Sequence, residues 1–249
     1  MPIASHFTSV YAQKWEINFT QCKPNGFLKY TDLCNLLQLT AGTHAELGGI
    51  SFTDMQAFNQ AWVLSRMRVE ITALPQWRDT VTVKTWIISL EKSRSVRALE
   101  MYVNEKKIIG CETFWAVFNT ATRRPEALAL PDDHFEKFPQ HFATDEKVKK
   151  VTIHDTMEIV AHHKVVLSDL DIVNHVNNVK YLEWCLDTVA PELILEQQLK
   201  SFDLNFMKEL VLGDEVTILK SESESAVTFS IIKDQMACFG LELQWTQHS

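Results

Sequence analysis

Ile71-Thr72-Ala73-Leu74-Pro75-Gln76-Trp77-Arg78-Asp79-Thr80-Val81-Thr82-Val83 has an echo 135 residues further on, Phe206-Met207-Lys208-Glu209-Leu210-Val211-Leu212-Gly213-Asp214-Glu215-Val216-Thr217-Ile218. In each copy an apolar residue leads through a turn to an Asp, and a Val-Thr-Val or Val-Thr-Ile strand begins two residues later. Lys29-Tyr30 has its own echo in Lys180-Tyr181, at an offset of 151. One such match is weak evidence. Two in the same order, set in the same succession of elements, point to an internal duplication.

The succession is a short strand, a helix, then several strands, met twice. A strand is expected around Lys14 to Asn18, followed by the turn Lys23-Pro24-Asn25-Gly26. A helix follows from about Thr31 to Leu47, with Leu33, Leu36, Leu37, Thr40, His44 and Leu47 on one buried stripe. Gly48-Gly49 ends it, since glycine accepts the left-handed conformation of a helix terminus. Strands are expected over Ala61 to Ile71, Thr80 to Ser89, Val96 to Asn104 and Lys107 to Asn119, the last rich in aromatics. Pro139 to Lys150 reads as a charged linker. Beyond it a strand over His162 to Leu167, a turn over Ser168 to His175 and a helix from Asn177 to Val189, closed by Pro191, repeat the plan. Four more strands are expected over Ser201 to Lys208, Glu215 to Ser221, Ala226 to Asp234 and Ala237 to Trp245. A helix wrapped by a curved antiparallel sheet is the hot-dog unit, and such units normally pair. The expected fold is therefore α+β, a tandem (double) hot-dog, with residues 1–143 as one unit and 144–249 as the other.

Composition agrees with a folded globular chain. Of 249 residues, 46% are hydrophobic and 22% charged, and no apolar run approaches the roughly 18 to 20 residues that span a bilayer. The start, Met1-Pro2-Ile3-Ala4-Ser5-His6, has neither the basic region nor the apolar core of a secretory signal, so the cytoplasm is the expected compartment. A net charge of −8 argues against nucleic acid as a partner. Cys22, Cys34, Cys111, Cys185 and Cys238 form no C-x-x-C pair and read as reduced thiols.

The densest polar stretch is Ser168-Asp169-Leu170-Asp171-Ile172-Val173-Asn174-His175-Val176-Asn177-Asn178-Val179-Lys180-Tyr181, at the second strand-to-helix junction. A helix N-terminus offers unpaired N–H groups and partial positive charge to a developing oxyanion. A carboxylate and an imidazole four residues apart can act there on a water or an acyl carbonyl. The same residues also suit an ordinary capped turn, with Asp and Asn bonding the first amides. Local chemistry leaves both readings open.

Here the chain resembles the acyl-[acyl carrier protein] thioesterases, the plant FatA/FatB type and its bacterial relatives. Asp171 to Trp184 resembles their Asp-x-x-x-His-Val-Asn-Asn-Val-Lys-Tyr-x-x-Trp signature. Trp62-Val63-x-x-Arg66-Met67, Pro75-x-Trp77-x-Asp79-x-Val81, and Phe114 to Pro125 with Thr122-Arg123-Arg124 resemble stretches of their first half. The resemblance implies hydrolysis of the thioester between a fatty acyl chain and acyl carrier protein. It implies a catalytic set of Asp171, His175 and Glu209: Glu209 as general base for a water, His175 positioning water or thioester, and Asp171 orienting its neighbours. The family's catalytic Asn position holds Val173 here, with Asn174 one place further on as the candidate to stand in for it, a departure that touches efficiency rather than fold. The amides of Val176 and Asn177 are then the expected donors to the carbonyl oxygen. Leu210 stands where plant members often carry a cysteine, so a Cys–His acyl-enzyme route has no candidate there.

The family's acyl tail enters the first half between helix and sheet, which makes Leu33, Leu37 and Trp62 the expected tail-binding residues. His44 reads as a satisfied buried histidine. His162-His163 lacks a third ligand, so neither metal nor cofactor is expected. Arg123-Arg124 and Lys147-Lys149-Lys150 read as solvated charge or as contacts to the acidic carrier. An internal pair of units is compatible with a monomer or a homodimer. Two other functions fit the same residues: an acyl-CoA thioesterase, and a low-activity acyl-binding protein in which Val173 has weakened turnover.

Overall fold

The computed structural model describes residues 3–154, 156–196, 199–223 and 226–246. The first half runs β1 (Val10–Glu16), α1 (Tyr30–Leu47), α2 (Phe52–Gln56), β2 (Gln60–Ile71), β3 (Thr80–Glu91), β4 (Arg94–Val103), β5 (Lys106–Asn119) and β6 (Arg124–Pro125). The second runs β7 (Glu158–Lys164), α3 (Asn178–Leu186), α4 (Pro191–Glu196), β8 (Leu199–Phe206), β9 (Glu215–Glu222), β10 (Ala226–Lys233) and β11 (Met236–Trp245). All the strands belong to one antiparallel sheet in the order β1-β3-β4-β5-β2-β8-β11-β10-β9-β7, with β6 paired to β5. The two halves meet at the β2–β8 seam, where Arg66 to Glu70 pairs with Asn205 to Ser201. This is the tandem hot-dog expected from the duplicated sequence.

The duplication is visible bond by bond. Ile17 donates its N–H to the Asp79 carbonyl and Val165 donates to Asp214, while Leu28 donates to Pro75 and Val176 to Leu210. An isolated bridge closes the loop between strand and helix in both copies, Cys22 with Leu28 and Leu170 with Val176. The echoed Pro75 to Val83 and Leu210 to Ile218 stretches are thus the docking ledges for the two loops that enter the helices.

Helix α1 buries Leu33, Leu36, Leu37, Thr40, Ala41 and His44 against the sheet. Its left-handed terminal residue is Gly49, at φ 70°, while Gly48 keeps φ −87°. Gly48 is needed for space: a Cβ there would lie 2.0 Å from the Phe135 ring. Helix α3 is shorter than expected and stops at Leu186. Pro191 does not close it; proline is preorganised for a first helical turn, and it opens the separate helix α4. One continuous core runs through both halves, with Tyr30 of α1 edge-on to Phe202 of β8 at 6.1 Å.

The expected linker is packed rather than loose. Trp86 Nε1 donates to the His141 carbonyl, Lys107 Nζ to the Ala143 carbonyl, and the amides of Asp145 and Glu146 to Glu70. Gly110 admits this crossing, because a Cβ at that position would lie 2.0 Å from the Ala143 carbonyl oxygen. Beneath it, Arg68 of β2 bonds Asp203 of β8 across the seam. Burial pushes the Asp203 carboxyl up to about 6 even with the guanidinium beside it.

Candidate active site

Two segments of the second half build the site. The first is the loop from Leu170 to Asn177, tied by a turn in which Asn174 donates its N–H to the Asp171 carbonyl. The Asp171 carboxylate accepts from the backbone N–H of Val173 at 2.9 Å and of His175 at 3.2 Å. The Asp171 carboxylate thus ties the backbone on either side of Asn174. The second is the stretch after β8. Met207 and Lys208 both donate to the Cys238 carbonyl, and Leu210 donates to the Tyr181 hydroxyl oxygen at 3.1 Å. Glu209 sits between these anchors.

The two segments bring His175 Nε2 to 3.6 Å from Glu209 Oε2, with both side chains about one-third exposed (31% and 32%). They open on a cleft of about 670 Å³ lined by Asp171, Val173, His175, Asn178, Asn205 and Glu209, with Trp62, Trp115 and Arg123 from the first half. A carboxylate touching an imidazole at the wall of a cleft can take a proton from water, and the imidazole can hold that water or polarise a carbonyl. A second cavity of about 260 Å³ lies between α1 and the sheet of the first half. Trp62 and Trp115 line both cavities, so the indoles form their common wall. Among the described residues no cluster of His, Cys, Asp and Glu has the makings of a metal site, and His163 instead pairs with Asp169 at 3.0 Å.

The acyl-ACP thioesterase N-terminal domain profile matches residues 8–138, and the C-terminal domain profile matches 154–245. The chain belongs to the acyl-ACP thioesterase family. Among its relatives are an oleoyl-acyl carrier protein thioesterase of Coriandrum sativum, 28% identical over 240 residues, and a palmitoyl-acyl carrier protein thioesterase of Cuphea hookeriana, 28% identical over 216. These alignments take in 88% and 80% of this chain but 65% and 52% of the relatives, so the chain spans about half to two-thirds of their length. Two solved structures share the fold: an acyl-ACP thioesterase from Bacteroides thetaiotaomicron (TM-score 0.89, 24% identity) and the 12:0-ACP thioesterase from Umbellularia californica (TM-score 0.83, 21% identity). Each covers 96% of this chain and 98% of its own.

Within this family frame, several expected residues lie elsewhere. Asn174 is the left-handed residue of the turn, at φ 61°, and is not among the cleft-lining residues. The amides of Val176 and Asn177 are already engaged, by the carbonyls of Leu210 and Asp169, and so are not free to hold an oxyanion. The next amide, that of Asn178, opens α3 without a partner among the described residues, and Asn178 lines the cleft. Leu33 and Leu37 are fully buried in the core and line neither cavity. Ala41, Gly42 and Ala45 of the same helix line the second cavity in their place. Small residues, rather than the leucine stripe, were the readable sign of a void beside α1. His44 is fully buried and doubly bonded, Nε2 to the Thr8 carbonyl and Nδ1 to Arg97, as expected of a structural histidine.

Proposed function

We propose that this protein hydrolyses fatty acyl thioesters of acyl carrier protein, with Glu209 as the base and His175 as its partner. The observation that carries the reading is the Glu209–His175 contact at 3.6 Å on the wall of a cleft that shares Trp62 and Trp115 with an apolar-walled cavity. Glu209 takes a proton from water as the water oxygen bonds to the acyl carbon. The N–H of Asn178 stabilises the oxyanion, His175 holds the water or thioester, and the C–S bond then breaks. The sulfur leaves with a proton returned by the Glu209–His175 pair, giving a free acid and a thiol. Asp171 keeps the imidazole in register from behind.

The second cavity is the proposed seat of the tail. Arg66, Arg123, Lys150 and Lys208 gather around the cleft of a chain whose net charge is −8, which supports an acidic carrier or its phosphopantetheine arm as the partner. Residues 1–143 would then serve the tail and 144–249 the chemistry. No helix among the described residues is long and apolar enough to cross a membrane. Five cysteines without a disulfide support a reducing compartment such as the cytoplasm. The β2–β8 seam pairs the two units within one chain, which supports a monomer as the minimal working form.

The deciding experiment offers the purified protein acyl carrier thioesters and acyl-CoA of equal chain length and follows acid release. Faster release from the carrier thioester is the expected result; a large preference for CoA overturns the carrier assignment, and release from neither overturns hydrolysis. The lining of the cleft by Val173 favours one second reading, an acyl-binding protein with weak turnover. Val173→Asn restores an amide at that wall, and a large rise in rate would mark the natural protein as handicapped there.

A further inference from the structure

We propose that Arg123, contributed by the first half of the chain, is a positioning residue for Glu209. This rests on the thioester-hydrolase reading and adds a component to its machinery. The Arg123 guanidinium bonds Glu209 Oε2 across 86 residues of sequence. The same oxygen faces His175 Nε2 at 3.6 Å, while Glu209 Oε1 has no hydrogen-bond partner among the described residues. The carboxylate is therefore held by one oxygen and presents the other. A charge-assisted bond to one oxygen restrains the side chain and leaves Oε1 as the oxygen that receives the proton of water.

The arginine is itself held. Asn119, the last residue of β5, accepts through Oδ1 from the N–H groups of Ala121 and Thr122 at 3.0 and 2.8 Å. Its carbonyl accepts from the N–H of Arg123 at 2.9 Å, and Thr120 donates to the Asn59 carbonyl at 2.7 Å. Arg123 lies in the left-handed region at φ 59°, a conformation that costs a non-glycine residue free energy and persists where its surroundings over-determine it. Its neighbour Arg124 is drawn into β6, which pairs Pro125 with Phe118. The turn thus aims one arginine of the pair into the cleft, where Arg123 is a lining residue and Arg124 is not. A solvated surface charge needs no such scaffold. The active centre is completed only when both halves contribute to it.

The test compares wild type with Arg123→Gln, Arg123→Lys, Glu209→Gln and the double variant Arg123→Gln/Glu209→Gln on two substrates. These are an acyl carrier thioester and the same acyl group on N-acetylcysteamine, which has no carrier to dock. A positioning role lowers kcat about tenfold or more on both substrates with KM within about threefold, since small displacements of a reacting group cost up to about a hundredfold. Arg123→Lys recovers part of the loss, and on the Glu209→Gln background the Arg123→Gln change costs nothing further. A rise in KM confined to the carrier substrate would make Arg123 a docking residue and overturn the proposal, as would unchanged kinetics or full additivity with Glu209→Gln. Should Arg123→Gln not fold, Arg123→Lys, which keeps charge and length, carries the same comparison. Wild type inert on both substrates would instead sink hydrolysis itself, a result distinct from either of these.

Discussion

Gly26 and Asn174 occupy the same place in two copies of one turn. Both are left-handed, at φ 84° and 61°, and each donates its N–H to the carbonyl three residues back, that of Lys23 or Asp171. The amide side chain at 174 is therefore explained by backbone conformation, because Asn tolerates the left-handed region better than most residues. Asn174→Gly is expected to leave kcat within about twofold, while Asn174→Val destabilises by about 1–2 kcal/mol. Denaturant melts and steady-state rates on the two variants check this; a hundredfold loss of rate in a stably folded Asn174→Gly would return the residue to the chemistry.

Glu209 and His175 face the cleft with about a third of each side chain exposed, so replacing them is expected to have little effect on the core. Glu209→Gln keeps the shape and removes the proposed base, and a loss of about 10² to 10⁴ in kcat is expected. His175→Ala is expected to fall in the same range, and the pair together no further than the worse single change, as for residues acting as a unit. Thermal melts within a few degrees of wild type separate this from unfolding.

Gly42 lies mid-helix in α1 beside the second cavity, and a Cβ there would meet nothing within 4 Å. Gly42→Leu fills that space. It is expected to stabilise the fold by about 0.5–1 kcal/mol through helix propensity. At the same time it should shift the released acids toward shorter chains. Product profiling by gas chromatography reads the shift, and an unchanged chain-length profile would remove the tail from this cavity.

His44 is buried against Arg97, and burial together with that guanidinium pushes its imidazole down to about 3. The folded protein keeps it neutral, whereas the unfolded chain protonates it near the ordinary value of 6.5. Its contribution is thus present above pH 6.5 and is lost as pH falls from there toward 3, with a slope of up to about 1.4 kcal/mol per pH unit. Urea melts between pH 7 and 4 should show that slope, and His44→Phe should flatten it by up to this amount while lowering stability at pH 7, because Arg97 loses an acceptor.

The fold was legible because duplication leaves paired signals. Asp79 and Asp214 follow turns with the same contacts, and alternation of apolar and polar residues marks the strands with errors of one to a few residues at their ends. The extent of α3 was not legible: Val179, Leu182, Cys185 and Val189 share a stripe, yet the chain leaves the helix after Leu186 and Val189 is buried from a turn. Asp171 and His175 stood out as a carboxylate and an imidazole four residues apart, Glu209 was implied only by the family resemblance, and the fold brings all three to one cleft. Donor assignments failed at Val176 and Asn177 because an amide's availability depends on which carbonyl the neighbouring ledge presents, a three-dimensional fact. Leu33 and Leu37 failed for a related reason. Periodicity finds buried positions but does not distinguish those facing packed atoms from those facing empty space. Arg123 read as solvated charge or as a contact to the acidic carrier because nothing local to Thr122-Arg123-Arg124 announces a carboxylate 86 residues away.

Phe27 and Lys23 stand in the first loop where His175 and Asp171 stand in the second, on matching backbones. Were the two units identical subunits from one coding sequence, every substitution would strike both loops at once, and a histidine abandoned on one side would be abandoned on the other. Covalent fusion lifts that constraint. Each copy is free to specialise: the second loop carries the imidazole, while the first carries Phe27 at the matching position and its own unit keeps an interior cavity beside the helix.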